Sequence, residues 1–141
     1  MREIKFRGVR IDKFEWWEGS LISKENGKCY ITQDLLTPQE RNEKIGYCLA
    51  HFSEVVPESV GQFTGSTDKN GKDIFQGDIV KCLDKNGEEY ITNIFYQDGC
   101  LLIEIHNNSD GDFTSIDSSL INDIEEIEVI GNIFQNPELL K

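Results

Sequence analysis

Apolar and polar residues alternate over short stretches along much of the chain, a pattern that predicts β-strands with one buried face. Residues 4–7 show this alternation near the start of the chain. The stretches 90–96 and 100–105 are rich in β-branched, aromatic and aliphatic residues, and Asp98-Gly99 separates them. Because Asp and Gly both tolerate positive φ, this region predicts a tight two-residue hairpin.

Asn-Gly and Asp-Gly dipeptides predict further turns, and they begin at Asn26, Asn70, Asn86 and Asp110. Strand-like segments at 16–22 and 29–32 flank the first of these dipeptides and predict a second hairpin. Residues 128–134 predict a last strand before Pro137.

Helical patterns are confined to two short segments. Thr37-Pro38, followed by Glu40, is typical of a helix start, because Thr caps the first turn and Pro fits its first position. Apolar residues in 118–127 recur at helical spacing. The expected fold is therefore mainly β, with at most one or two short helices.

A weak internal repeat predicts two similar halves. Residues 17–32 and 75–92 share the order aromatic, x, Gly, x, two aliphatic residues, a turn dipeptide, then Tyr-Ile-Thr. A glycine at that place is typical of a sharp bend at a barrel corner. We predict two small SH3-like barrels or rolls, an N-terminal roll over 1–60 and an acidic one over 61–141. The alternative is one intertwined domain over 1–141.

The charge is uneven along the chain. Of the net −12, residues 1–60 contribute −1 and residues 61–141 contribute −11, while residues 1–13 carry +3. Direct binding to nucleic acid or to an anionic membrane normally requires the opposite sign, so neither partner is expected. A basic edge beside an acidic body favours self-association, with a solvated strand face as the alternative. With no export signal or long apolar run, we expect a cytoplasmic location.

Motifs for known chemistry are missing from the sequence. The four cysteines and two histidines do not have zinc-finger spacing, and Cys48 with His51 makes a weak thiol–base pair. No Gly-x-Ser-x-Gly, His-Glu-x-x-His or Gly-x-x-x-x-Gly-Lys-Ser/Thr motif occurs. We therefore expect no metal, no cofactor and no enzymatic activity.

The candidate functional residues form an interaction surface instead. Trp16 and Trp17 are the chain's two tryptophans, and in a strand one should face the core and the other the solvent, where it could anchor a partner. The acidic residues of the second half complete the candidate surface, namely Asp110, Asp112, Asp117, Asp123, Glu125, Glu126 and Glu128.

Three separated motifs resemble the YopX family. They are the opening 2–8, the central Val60-Gly61-Gln62-Phe63-Thr64-Gly65 with residues 68–80, and the ending 129–140. The resemblance implies a phage or prophage origin and a mainly β fold with SH3-type rolls. It brings no catalytic residue to carry over.

Three functions are compatible with these observations. The first is a phage- or prophage-encoded, non-enzymatic module for protein binding or assembly in the host cytoplasm, with the chain itself or a host or phage protein as partner. The second is an acidic inhibitor that mimics nucleic-acid charge against a host DNA-binding protein. The third is an enzyme with an unrecognised cleft.

Overall fold

The computed structural model describes residues 4–33, 52–84, 87–97, 100–105, 112–115 and 124–140. They are mainly β, as predicted, and every strand pair is antiparallel. The chain divides into two compact units, and the boundary falls between Gln62 and Phe63. We call Ile4–Gln62 the first unit and the part from Phe63 onward the second unit. The predicted helix start at 37–41 lies outside the described residues.

The first unit is a curled antiparallel sheet. Its strands pair in the order β4-β3-β2-β1, and the first two residues of β5 lie beside β1. Their bounds are β1 Phe6–Val9, β2 Trp16–Ser23, β3 Cys29–Thr32, β4 Phe52–Val55 and β5 Gly61–Thr67. A single bridge between Arg10 and Val55 joins β4 to the chain just after β1. One bridge does not make a closed barrel, so the SH3-like closure stays a prediction with which the curl is compatible.

Small residues allow the strands of the first unit to approach closely around its buried Val9, Ile31 and Val55. A Cβ on Gly8 would lie 2.9 Å from the Val55 side chain. A Cβ on Gly19 would lie 2.1 Å from the Thr32 carbonyl oxygen, which belongs to the neighbouring strand. The backbone of β2 therefore has no room for a side chain at position 19.

The second unit contains the later part of β5 paired with β6, and a five-stranded sheet in the order β10-β9-β8-β7-β11. The strands are β6 Asp73–Phe75, β7 Asp78–Asp84, β8 Glu89–Gln97, β9 Cys100–Ile105, β10 Asp112–Ser115 and β11 Ile124–Asn132. Among the described residues the helices are two short 3₁₀ helices, Pro57–Ser59 in the first unit and Pro137–Leu140 in the second.

The core of the second unit is aliphatic. Ile127 and Val129 of β11 pack against a buried cluster made of Ile74, Val80, Cys82, Ile94, Leu101 and Ile103. Full burial of each large aliphatic side chain contributes about 1.5–3 kcal/mol to folding. This cluster is the main source of hydrophobic stabilisation that the described part of the unit displays.

Two predicted hairpins are confirmed. Strands β8 and β9 pair up to Gln97 opposite Cys100, as a two-residue connection requires, and β2 pairs with β3 around Asn26-Gly27. The predicted helix over 118–127 is wrong for Ile124–Ile127, which lies in β11, while 118–123 lie outside the described residues. The predicted last strand ends early, because Asn132 accepts the backbone N–H groups of Gln135 and Asn136 and turns the chain.

The same turn geometry occurs three times. In each turn the first residue donates its N–H to the carbonyl oxygen of the residue four positions later. Its own carbonyl oxygen accepts the N–H of the residue three positions later, which is a glycine with φ between +80° and +86°. These turns begin at Lys24, Asp68 and Asp84 and contain Gly27, Gly71 and Gly87. Only glycine adopts this φ without strain, so the Asn-Gly dipeptides predicted the positions of the turns. The two-residue type with positive φ at both residues is wrong for Asn26 and Asn70, because φ is not positive at either asparagine and three residues separate the paired ends.

The internal repeat is confirmed for the turn and for Tyr-Ile-Thr but is out of register before the turn. Strand pairing places Leu21 opposite Ile31 and Lys81 opposite Ile91, a constant spacing of 60 residues between the hairpins. The aromatic-x-Gly block repeats at 58 residues instead. Gly19 accordingly lies inside β2, whereas Gly77 forms the turn before β7 with φ +91°.

Candidate interaction surfaces

Both tryptophans are half-buried, so neither is fully enclosed and neither is fully exposed. Trp16 and Trp17 are adjacent in β2 and therefore point to opposite faces of the sheet. The guanidinium carbon of Arg7 lies 4.7 Å from the centre of the Trp16 ring, and that of Arg10 lies 4.3 Å from the centre of the Trp17 ring. Each arginine covers one indole face and so contributes to the partial burial of that ring.

Arg10 contacts both Trp17 and the end of the β1–β2 hairpin. Its guanidinium lies 3.1 Å from Asp12 Oδ2 and 3.6 Å from Glu15 Oε2, and its Nε donates to Ser53 Oγ at 3.2 Å. The Arg10 backbone N–H also donates to the Glu15 carbonyl oxygen at 2.8 Å. We call residues 10–15 the hairpin tip, and these contacts connect its two ends and tie it to Ser53.

Phe14 is the most unusual residue of the hairpin tip. It is 77 % exposed, and its φ of +54° is the one positive value among the described residues other than glycine. Its N–H donates to the Arg10 carbonyl oxygen at 2.9 Å. Neighbouring Ile11 is also exposed, so the tip displays two apolar side chains beside a cationic one, Lys13.

The structure brings together only part of the predicted acidic set. Asp110, Asp117 and Asp123 lie outside the described residues, and Asp112 begins β10. Glu125, Glu126 and Glu128 lie in β11.

Lysines accompany the described acidic residues of β11. Lys69 Nζ lies 3.6 Å from Glu126 Oε2, and Lys81 Nζ lies 3.9 Å from Glu128 Oε1. The Asn70 side-chain amide also donates to Glu128 Oε2 at 3.5 Å. The two lysines and the two glutamates line a small groove together with Leu83 and Glu89. The groove is a mixed-charge surface rather than a row of unpaired carboxylates.

Asp68 is a buried carboxylate that the sequence pattern did not single out. Its Oδ1 accepts the N–H groups of Asn70 and Lys72, both at 2.9 Å, and its Oδ2 accepts the Val129 N–H at 3.0 Å. Burial raises its pKa, but the three backbone donors, with the charge of Lys72, outweigh burial and lower the pKa below its ordinary value. Asp68 therefore connects its turn to β11 and has a structural role. The sequence signal that could have identified this residue is an aspartate at the first position of an Asp-x-Asn-Gly turn.

Cys82, in the described core, is a buried free thiol that is poorly suited to act as a nucleophile. Burial raises the pKa of Cys82 to about 12, although a hydrogen bond with Tyr90 acts in the opposite direction. A thiol with this pKa stays protonated near neutral pH. Cys48 and His51, the weak thiol–base pair, lie outside the described residues.

Within the described ranges, no group of three or more His, Cys, Asp or Glu side chains is arranged to hold a metal ion. In the same ranges, no helix has the length and apolar character that crossing a bilayer requires.

The fold places the chain among small antiparallel β proteins built from two units. The surfaces described above are the tip of the β1–β2 hairpin and the mixed-charge face of β11. A family model described as YopX protein matches residues 5–141. The chain belongs to the YopX protein family.

Two solved structures are similar to this chain. The YopX protein from Bacillus subtilis is 22 % identical, with a TM-score of 0.55, over 97 % of this chain and 98 % of that chain. Protein EF1440 from Enterococcus faecalis is 24 % identical, with a TM-score of 0.58, over 100 % of both chains. At these identities the similarity concerns the fold alone. The curated proteins contain no match.

Proposed function

We propose that the protein is a phage- or prophage-encoded module that binds another protein or assembles with itself in the host cytoplasm, without enzymatic activity of its own. The observation that supports this proposal most strongly is the β1–β2 hairpin. It combines two tryptophans, each stacked with an arginine, and an exposed apolar tip.

Aromatic residues and arginine are enriched at protein interfaces, and tryptophan and arginine are enriched at their energetic centres. A tryptophan ring offers a large contact area with few rotatable bonds, and an arginine offers several hydrogen-bond donors. The arginines here are already held by the rings and, for Arg10, by Asp12 and Glu15. Little conformational entropy is then lost when a partner covers them. A pre-ordered surface of this composition is suited to recognition rather than to chemistry.

The proposal is tested with the full-length chain in two measurements. Light scattering over a range of concentrations measures self-association, and affinity capture from host cells carrying the phage or prophage identifies other proteins. The control resin carries an unrelated protein of similar size and net charge, so that simple charge attraction is subtracted. We expect either a concentration-dependent increase in mass or a specifically retained protein. A monomer that retains nothing above the control contradicts the proposal.

A second candidate function is mimicry of nucleic-acid charge, which the net −11 of residues 61–141 favours. We place it second because Glu126 and Glu128 each lie close to a lysine, which reduces their free negative charge. Its test uses duplex DNA as competitor in the capture experiment. A mimic would retain DNA-binding proteins that the added DNA releases, whereas a partner of the hairpin would stay bound.

A further inference from the structure

We infer that Asn26-Gly27 is a site of spontaneous deamidation, and that the equivalent Asn70-Gly71 is protected from the same reaction by the carboxylate of Asp68. The reaction is a chemical modification of the protein itself, with water as the co-reactant, and the inference is independent of the proposed function. Its product replaces a neutral amide with a carboxylate in the turn between β2 and β3. The third Asn-Gly dipeptide of the chain begins at Asn86, which lies outside the described residues.

An Asn-Gly dipeptide favours this chemistry, because glycine has no side chain to hinder its backbone nitrogen. The Gly27 nitrogen loses its proton to hydroxide and attacks Cγ of Asn26, which forms a new C–N bond and closes a succinimide ring. The Cγ–Nδ2 bond breaks, and Nδ2 takes a proton from water and leaves as ammonia. Water then opens the ring at either carbonyl carbon and yields aspartate or isoaspartate, with no change in oxidation state.

The two dipeptides are matched in sequence, exposure and backbone geometry. Each is followed by a lysine, and all four of their residues are exposed. No atom lies within 4 Å of a Cβ built on Gly27 or Gly71, and φ is +86° and +80° at these glycines. In both turns the glycine N–H donates to the carbonyl oxygen of the first turn residue at 3.0 Å. The attacking nitrogen is therefore released only when the turn opens, and the rate depends on how easily each turn opens.

The turn around Asn26 is held by local hydrogen bonds. The Lys24 N–H donates to the Lys28 carbonyl oxygen at 2.9 Å, and the Lys28 N–H donates to Asn26 Oδ1 at 3.0 Å. Because these bonds join residues within the turn, the turn can open while the pairing of β2 with β3 persists.

The turn that begins at Asp68 has further bonds that reach β11. Asp68 Oδ1 accepts the N–H groups of the residues before and after Gly71, both at 2.9 Å. Its Oδ2 accepts the Val129 N–H at 3.0 Å, and the Lys69 N–H donates to the Ile127 carbonyl oxygen at 2.9 Å. Opening this turn breaks bonds to a distant strand as well as bonds within the turn, so it costs more free energy.

Negative charge is a second source of protection. The reaction passes through an anionic Gly71 nitrogen and then through an anionic oxygen on the Asn70 side chain. Asp68 Oδ1 is bonded to the N–H groups on both sides of that nitrogen, and Glu128 Oε2 lies 3.5 Å from Asn70 Nδ2. Like charges at such short distances disfavour the anions.

The test ages the full chain in mildly alkaline buffer and follows both asparagines by chymotryptic peptide mapping with mass spectrometry. Aromatic residues lie between the two asparagines, so each one is measured on its own peptide. In the native protein Asn26 should deamidate about tenfold faster than Asn70, because the additional bonds of the Asp68 turn must break first. In guanidinium chloride, where both turns are unfolded, the two rates should be nearly equal.

Variants at Asp68 test the cause of the protection. Asp68→Ala removes both the acceptor and the charge, so Asn70 should deamidate about tenfold faster than in the wild-type chain. Asp68→Asn keeps the size and one acceptor oxygen, so it should raise the Asn70 rate by a smaller factor while disturbing the fold less. The Asn26 rate is the internal control, and it should be the same in both variants as in the wild type.

Asp84→Ala is a matched control, because Asp84 begins another of these turns and its Oδ1 accepts the Glu88 N–H. This variant should leave the rates at Asn26 and Asn70 unchanged.

Three results overturn the inference. Equal native rates, or a faster reaction at Asn70, would show that the bonds of the Asp68 turn give no protection. A difference of the same size in guanidinium chloride would show that the neighbouring sequence sets the rates. An Asn70 rate that is unchanged in both Asp68 variants would show that another group protects this asparagine.

Discussion

The hairpins β2–β3 and β7–β8 have the same turn and the same pairing register, yet they bury opposite faces. Ile31, opposite Leu21, is fully buried, whereas Ile91, at the matching place opposite Lys81, is 43 % exposed. On the preceding strand, one position nearer the turn, the relation reverses, since Ile22 is exposed and Cys82 is buried. A local turn signal thus specifies a hairpin and its register, and the surrounding strands decide which face joins the core.

Truncating the two matching isoleucines should give the largest difference in the free energy of unfolding between the hairpins. Ile31→Ala should lower the free energy of unfolding by about 2–5 kcal/mol, because it leaves a cavity in the first unit. Ile91→Ala should lower it by about 1 kcal/mol or less, because the side chain is largely in water. Urea unfolding of both variants measures the difference. Equal losses would mean that the hairpins bury the same face.

Glycines that the sequence repeat aligns should differ as well. Gly19→Ala should destabilise by about 3 kcal/mol, because its Cβ would collide with the backbone carbonyl of Thr32 and push β2 from β3. Gly77→Ala should cost about 1–2 kcal/mol, because φ is +91° but the nearest side-chain atom, from Ile133, is 3.6 Å away. Thermal unfolding followed by circular dichroism checks the order, which a larger loss for Gly77→Ala would contradict.

Aspartates that begin two of the matching turns offer a finer comparison. Asp68→Asn should destabilise by about 2 kcal/mol, since an amide nitrogen would face one of three backbone donors that the carboxylate now satisfies. Asp84→Asn should cost less than about 1 kcal/mol, because that carboxylate accepts the Glu88 N–H in a more exposed turn. Urea unfolding at neutral pH compares the two variants.

Lowering the pH should remove the special contribution of Asp68. Its pKa is lowered in the folded protein, so its stabilisation is complete above its ordinary pKa of about 3.9 and is lost as the pH falls below that value. The stability difference between wild type and Asp68→Asn should therefore shrink from about pH 4 downward. A difference that is constant down to about pH 3 would contradict the lowered pKa.

The smallest expected effects come from the turns themselves. Gly27→Ala and Gly87→Ala should each cost about 1 kcal/mol, because φ is +86° and +83° and no atom lies within 4 Å of the added Cβ. Equal values from chemical unfolding would show that the two turns are energetically alike. A difference above about 1 kcal/mol would show that the surrounding units change the turns as well as the buried face.

The elements that could be predicted from the sequence are those with local causes. Asp98-Gly99 and Asn26-Gly27, with the strand-like segments beside them, indicated the two confirmed hairpins, because the residues that determine each hairpin lie within a few positions of it. The helix predicted over 118–127 failed at Ile124–Ile127 for a different reason. Apolar residues there fit a helical spacing, but Ile127 and Val129 also alternate with Glu126 and Glu128 and are held by pairing with β7. Pairing with a distant strand overrode the local pattern.

The candidate site was only partly predictable. Both tryptophans were identified as an interaction surface, but the stacking of Arg7 and Arg10 depends on cross-strand geometry that composition does not reveal. Phe14 gave no signal, because phenylalanine is not typical of a left-handed turn position. The contact of Asp68 with Val129 joins residues 61 positions apart, a separation that local patterns do not encode.

Strand β5 contains the boundary between the two units, since Gln62 pairs with Phe6 and Phe63 pairs with Phe75. The boundary therefore falls inside a strand rather than in a linker. Recombination between relatives that exchanged one half at this point would have to preserve strand partners on both sides of the crossover. Chimaeras joined inside β5 should be recovered only when the incoming segment matches both sets of neighbours, whereas crossovers in the surface turns are better tolerated.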